Sequence, residues 1–306
     1  MAPKAYRLKR PSILTLLLLA LACAGEAVED QPHLVDDLGQ AHVLGSPPAR
    51  VVSLIPSMTE LVLTLGAQDR LVGRTDFDTD PRVAQLPSVG GGLDPSIEAL
   101  AALEPDLVIA WPGGEQPLVT HLRNMGIPVY AAEIQNLDDL RRHADQMGHI
   151  LDSEQAAQMF LHGLDSSLAQ LDSATQGFER PTTFYVVWHD PPMTAGPGSF
   201  IDEIITLAGG RNVFEDAAME WPQVSMEEIL QRDPDALILP VKDVSDSTSI
   251  AWVGKTVGWK ELRAVREGRL LLVDTELFNR PGPGVVRAAN QLARLLHPEL
   301  AAAGGE

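Results

Sequence analysis

Three of the chain's five tryptophans stand beside short apolar runs or just ahead of a helix. Trp111 follows "LVIA" (107–110), Trp188 follows "FYVV" (184–187), and Trp221 lies in "EWPQVS" before a helix-like segment. An indole offers a flat apolar face and one N–H donor, and burying it removes ~150–250 Å² from water. At about 25 cal/mol/Å² that is a gross upper gain of roughly 4–6 kcal/mol per ring. Such rings do not break bonds; they grip flat organic molecules. The groups beside them at other strand ends are few: Asp76 and Phe77 after "LVG" (71–73), and Glu276, Phe278 and Arg280 after "RLLLVD" (269–274). His189, next to Trp188, stands either as an axial ligand for a metal held in a macrocycle or as a hydrogen-bonding loop residue. Trp252 and Trp259, in "SIAWVGKTVGWKEL", read as structural.

Signs of catalysis are thin. Ser57, Ser199 and Ser225 sit where helix caps are expected, and Ser57 has capping-box spacing to Glu60. No Gly-x-Ser-x-Gly, phosphate-binding P-loop or dinucleotide fingerprint is present, and the glycines at 282 and 284 read as turn residues. The eight histidines are not grouped at metal-ligand spacings. His42, His121, His143, His149, His162 and His297 read as solvated. Neither an enzymatic activity nor a metal or resident cofactor is expected.

One segment occurs twice. "SIEALAALEPDLVI" (96–109) aligns without a gap to "SMEEILQRDPDALI" (225–238), with Ser, Glu, Pro, Asp and the final Ile in register. Each reads as a Ser-capped helix, a Pro-Asp turn and a buried strand. Glu98 and Glu227 hold the third place. An acid there complements the helix dipole by ~0.3–1 kcal/mol. The symmetric pair also forms a two-point handle for basic sockets on a partner. Exposed ion pairs contribute only ~0.2–1 kcal/mol each, so such a handle sets register and on-rate more than affinity.

The elements that must carry these residues alternate strand and helix, the pattern of parallel sheets covered on both faces. Ligands of such sheets bind beyond the C-terminal ends of the strands. The fold class expected is α/β: two Rossmann-like lobes with parallel sheets joined by a long rigid helix. Residues 1–23 form a signal segment, and 24–44 an N-terminal segment with a hairpin around Asp37-Leu38-Gly39. A first lobe follows over 45–150, a connecting helix over 151–176, and a second lobe over 177–306. In the connector, Ala157, Phe160, Leu161, Leu164, Leu168 and Leu171 fall on one helical stripe.

The 306 residues carry a net charge of −19, and removing Lys4, Arg7, Lys9 and Arg10 with the signal makes it −23. So acidic a body repels nucleic acid but steers toward basic partners. "MAPKAYRLKR", the apolar "PSILTLLLLALAC" and the small residues after it have the layout of an export signal, too short to span a membrane comfortably. The single cysteine, Cys23, ends the apolar run. Two outcomes are open: acylation of Cys23 as a lipoprotein, or cleavage after Ala24 to release a soluble protein. Both place the chain in the periplasm or otherwise outside the cytoplasm.

Taken together, "RVVSLIPSMTELVLTLGAQDRLVG", "SIEALAALEPDLVIAWPGG", "HDPPMTAG", "LAGGRNVFED" and "WPQVSMEEIL" resemble the periplasmic cobalamin-binding proteins of bacterial importers. These belong to the helical-backbone (class III) substrate-binding proteins, whose other branches serve haem, siderophores and metals. The likeness covers roughly residues 35–298. It implies a monomeric receptor that captures cobalamin or another corrinoid and delivers it to the permease subunits of an ABC transporter. By the same likeness Trp111 and Trp221 match tryptophans that pack on the corrin, and Glu98 and Glu227 match glutamates that dock on the permease. Three positions depart from the pattern. A further cleft tryptophan falls on Gly92, a cleft tyrosine on Asp76 beside Phe77, and a cleft phenylalanine on Val187 beside Trp188. The rival readings are a haem or siderophore receptor, or an exported enzyme on the same scaffold. A metal-ion receptor is disfavoured, since "IPSMTE" after the first strand has no histidine.

Overall fold

The structure, a computed structural model, describes residues 34–42, 45–113 and 117–303. The signal segment and Cys23 lie outside the described residues. The described chain opens with a hairpin of β1 (Leu34–Val35) and β2 (Ala41–His42). Asp36 builds its turn. One carboxylate oxygen accepts the N–H groups of Leu38 and Gln40, and the other accepts from Ala131 N–H, Arg123 and the His42 ring. Burial pushes this carboxyl up, but the His42 hydrogen bond and the Gln40, Ala131 and Leu38 N–H groups outweigh it and hold the group below its ordinary range.

The first lobe follows as β3 (Val51–Ser53), α1 (Pro56–Thr64), β4 (Leu71–Gly73), α2 (Ile97–Ala102), β5 (Leu107–Ala110), α3 (Pro117–Asn124) and β6 (Val129–Ala131). Its four strands form a parallel sheet in the order β4-β3-β5-β6. Two helices then cross to the second lobe, α4 (Leu137–Ile150) and α5 (Glu154–Thr175). The 22 residues of α5 make a rod of about 33 Å. Ala157, Leu164, Leu168 and Leu171 are its buried stripe, with Phe160 and Leu161 packed partly buried beside them.

The second lobe comprises β7 (Thr182–Tyr185), a two-stranded ribbon of β8 (Trp188–His189) and β9 (Pro192–Met193), α6 (Phe200–Leu207), β10 (Arg211–Asn212), α7 (Met226–Arg232), β11 (Ala236–Val241), α8 (Arg263–Arg266) and β12 (Leu270–Asp274). The short α9 (Thr275–Phe278), then α10 (Val285–Leu296) and α11 (Pro298–Ala303), complete the chain. Its parallel sheet has the order β10-β7-β11-β12. Counted within each lobe, both sheets run second-first-third-fourth.

That shared order accounts for the repeated segment: α2 and α7 are the same crossover, each leading from an edge strand to the third strand. Ser96 and Ser225 accept the N–H three residues on, from Ala99 at 3.2 Å and Glu228 at 3.1 Å. Each turn then passes through a left-handed residue, Glu104 (φ 44°) or Asp233 (φ 39°), before its proline. A residue before proline is disfavoured in the right-handed helical region, so the helix stops there. The aspartate after the proline ties down the first strand of its own sheet. Asp106 accepts the N–H groups of Ala49 and Arg50, both at 2.8 Å. Asp235 accepts the Thr182 N–H and hydroxyl, both at 2.7 Å.

Successive residues of the central strands enter different cores, as strand pleating requires. Val52, Val108 and Ala110 face the core under α2 and α3, while Phe184, Leu237 and Leu239 face the core under α7 and α8. Val51, Ile109, Tyr185 and Ile238 enter one central core that both sheets share with α4, α5, α6 and α10.

Two expectations are corrected. Ser57 does not cap α1: Pro56 occupies the first turn, where its missing N–H costs nothing, and Ile55 is the cap residue with no side-chain bond. His143 and His297 are buried rather than solvated. His143 joins Asp37 (3.0 Å) to the Tyr130 hydroxyl (2.8 Å), clamping the hairpin onto β6, and His297 stacks on Phe178.

Candidate ligand-binding site

Trp111, the first residue after β5, and Trp221, in the loop before α7, line one cavity of about 460 Å³. The first lobe adds Ile55, Ser57 and Ile134, and the second adds Phe200 and Pro281. Ile55, Trp111 and Ala132 follow the C-terminal ends of β3, β5 and β6, so the cavity occupies the crevice where open α/β sheets bind ligands. The two indoles are 39% and 42% exposed, half-buried with free surface for a guest. The Trp111 ring lies over Gly113: a Cβ on Gly113 would stand 2.0 Å from the indole. The charged lining residues are Glu133 and Glu220, one from each lobe.

No side chain can be placed at Gly92, where the resemblance would have had a tryptophan. A Cβ there would stand 2.3 Å from the Leu54 carbonyl oxygen.

The other aromatic candidates lie elsewhere. Trp188 and His189 form β8 and line a second cavity of about 550 Å³ at the C-terminal ends of β7, β11 and β12, without Trp111 or Trp221. The His189 ring packs on Trp252 with centroids 4.5 Å apart. Trp252, read from sequence as structural, therefore lines this cavity, whereas Trp259 is buried in the core behind it.

Arg280 and Glu276 line a third cavity of about 330 Å³ and form an ion pair with each other. Arg280 also donates to the Phe77 carbonyl at 2.7 Å and the Thr79 hydroxyl at 3.2 Å, tying the second lobe to the first. Phe77 is 59% exposed, and Asp76 accepts from the Ser88 hydroxyl. Glu60, in the same cavity, is pushed up by burial, with Arg287 and Arg280 acting against that shift. Phe278 is a correction: it is 1% exposed, on the inward face of α9 in the central core, and cannot touch a ligand. Among the described residues no cluster of His, Cys, Asp or Glu is arranged to hold a metal ion.

Glu98 and Glu227 occupy the same place, the second residue of α2 and of α7, and both are exposed. Neither forms an ion pair among the described residues, whereas the neighbouring Glu228 is tied to Arg232 at 3.1 Å.

Residues 51–277 match the model of a family described as periplasmic binding protein. The chain belongs to that family. Its fold is the helical-backbone form, with two parallel sheets and eleven α-helices among the described residues. A vitamin B12-binding protein of Vibrio cholerae is 28% identical over 253 residues, covering 82% of this chain and 90% of the relative. The crystal structure of the periplasmic vitamin B12 binding protein BtuF of Vibrio cholerae matches with a TM-score of 0.68 and 27% identity, over 85% of this chain and 99% of that one. A periplasmic heme binding protein of Pseudomonas aeruginosa matches with a TM-score of 0.72 and 26% identity, over 82% and 93%. An uncharacterized ABC transporter substrate-binding lipoprotein of Bacillus subtilis is 27% identical over 314 residues, covering 95% of this chain and 98% of the relative. The chain is thus a substrate-binding protein of the ABC-importer family, with a small-molecule ligand and a membrane permease as partners. No helix among the described residues is long and apolar enough to cross a membrane.

Proposed function

We infer that the chain is an extracytoplasmic receptor that captures cobalamin or a related corrinoid, performs no catalysis, and passes its cargo to an ABC permease as a monomer. The observation that carries this reading is the pairing of Trp111 and Trp221, one from each lobe, on a single cavity. Indoles from opposite sides suit a broad macrocycle, whose faces are apolar and whose rim is polar. The two carboxylates on that cavity point the same way. Corrinoid rims carry neutral amide arms, whose N–H groups Glu133 and Glu220 can accept. A porphyrin with two carboxylate arms would meet like charge there. A haem reading also needs an axial side chain near the indoles, and His189 lines a different cavity. Trp188, His189, Asp76, Phe77, Glu276 and Arg280 are assigned to the outer parts of the cleft.

Glu98 and Glu227 are the docking pair, free to meet basic sockets on the two permease subunits. Residues 1–23 direct export, and the lipoprotein character of the Bacillus relative supports acylation at Cys23. Equilibrium dialysis of the mature chain against cyanocobalamin and haemin separates the readings. Retention of one cyanocobalamin per chain supports the corrinoid assignment. Retention of haemin, with a Soret band lost in His189→Ala, contradicts it.

A further inference from the structure

The strands β4 and β12 are edge strands of their sheets, and the segments that follow them meet across the lobes. Arg280, after β12 and α9, donates to the Phe77 carbonyl at 2.7 Å and to the Thr79 hydroxyl at 3.2 Å. Arg287, seven residues on, reaches Glu60 of α1 at 3.4 Å. Among the described residues, the only other hydrogen bond directly between the lobes runs from the Leu137 N–H, at the start of α4, to Glu203 at 2.7 Å.

Both sides of the Arg280 contact are braced. In the first lobe, buried Thr75 gives its N–H and hydroxyl to buried Asp78, at 2.7 and 2.8 Å, closing the turn that presents the Phe77 carbonyl. In the second, Asn279 accepts the hydroxyl of buried Tyr185 at 2.7 Å, and Glu276 pairs with Arg280 from one helical turn earlier. Beside the fork, Gly282 lies against Ser57, where a Cβ would stand 3.1 Å from the serine Cβ. Two firm surfaces joined by one charged fork have two arrangements, joined and parted, rather than a continuum.

The same segment borders the cargo. Pro281, next to Arg280, lines the cavity that Trp111 and Trp221 share, and so does Ser57. Resting on the receptor reading, we propose that Arg280 is an interlobe latch that sets how fast cargo enters and leaves. Its two bonds hold the lobes together in the empty protein, and they break when the indoles move apart to admit or release a guest. Entry and exit pass through the same parted arrangement, so weakening the latch speeds both. A side chain that only touched the guest would act on release alone.

The test begins with the ligand-free mature chain carrying Cys23→Ala, spin-labelled at the exposed positions Ala102→Cys in α2 and Arg266→Cys in α8. Pulsed electron–electron resonance is expected to give one narrow distance in this parent. Arg280→Ala, and Thr79→Val on the opposite lobe, each add a longer one. Stopped-flow mixing with cyanocobalamin then reads both rates on unlabelled protein. Association and release are each expected to be about fivefold faster in Arg280→Ala, the scale of one lost hydrogen bond to a charged group. Unchanged distances in both variants overturn the latch, and so does faster release with unchanged association. A wild type that binds no cyanocobalamin overturns the corrinoid reading, while the distances still decide the latch.

Discussion

Asp106 and Asp235 are equivalent residues in the two lobes, each fastening the turn after its repeated helix to the start of its own sheet's first strand. Asp235 also takes Arg263 at 2.6 Å, and Arg50 caps the corresponding turn in the first lobe through the Leu103 and Glu104 carbonyls. Removing Asp235 strands part-buried donors at the start of β7, whereas the Ala49 and Arg50 N–H groups freed by removing Asp106 are exposed and hydrogen-bond water instead. Asp235→Ala is expected to cost about 1–3 kcal/mol and Asp106→Ala about 0.5–1.5 kcal/mol. Urea unfolding followed by circular dichroism checks this, with Glu98→Ala as a control that stays within about 0.5 kcal/mol of wild type.

The two exposed glutamates separate docking from binding. Glu98→Ala with Glu227→Ala leaves ligand affinity unchanged and abolishes most uptake by membrane vesicles or cells carrying the cognate permease. Loss of ligand affinity in the double variant would remove them from the docking surface and place them in the site.

Much of this was legible in the sequence. Ser96, Ser225 and the Pro-Asp turns are local signals, since the cap and the turn of each repeat lie within fourteen residues, whereas the staple from Asp106 or Asp235 reaches a strand start more than fifty positions earlier. Trp111 and Trp221 stand out in the sequence because an aromatic beside a strand end or cleft-mouth loop is less expected to have a core role, and the structure puts both on one cavity. What failed depends on distant chain. His143 is buried because Asp37, 106 positions earlier, reaches it through a folded hairpin. Phe278 shares its strand end with Arg280, but α9 turns it inward onto the core. Trp252 meets His189 because the segment after β11, residues 242–252, brings it back against β8. Ser57 is the one local exception: Pro56, one residue earlier, takes the helix start.

Stability should fall in acid with a definite sign. Asp36 and Asp37 lie below the ordinary aspartate value of 3.8 in the folded chain; burial raises each, but histidine, backbone and arginine partners outweigh it. Their contribution is fully present above that unfolded value and is lost as pH falls through the lower folded values. Glu60 and Glu203 are raised by burial and act with the opposite sign, so the wild-type curve mixes the two. The stability gap between wild type and Asp37→Asn isolates the first effect. Urea midpoints from pH 6 downward are expected to show that gap constant until roughly pH 4 and closing below it. A gap that widens in acid would contradict the hairpin clamp.

Gly113 sets the pose of Trp111. Because a Cβ there would collide with the indole, Gly113→Ala swings the ring from its place. The expected result is a stable protein with a changed Trp111 environment in fluorescence quenching and at least about fivefold weaker ligand binding, a fraction of the ring's full burial. Unchanged affinity would mean that this orientation of Trp111 does not matter.

The central claim is that a corrinoid sits between Trp111 and Trp221, and calorimetric titration of the mature chain with cyanocobalamin tests it most directly. The expected result is one-to-one binding at micromolar concentration or tighter, weakened by about tenfold or more in Trp111→Ala and again in Trp221→Ala. No binding by wild type, or full affinity in both variants, would contradict the account.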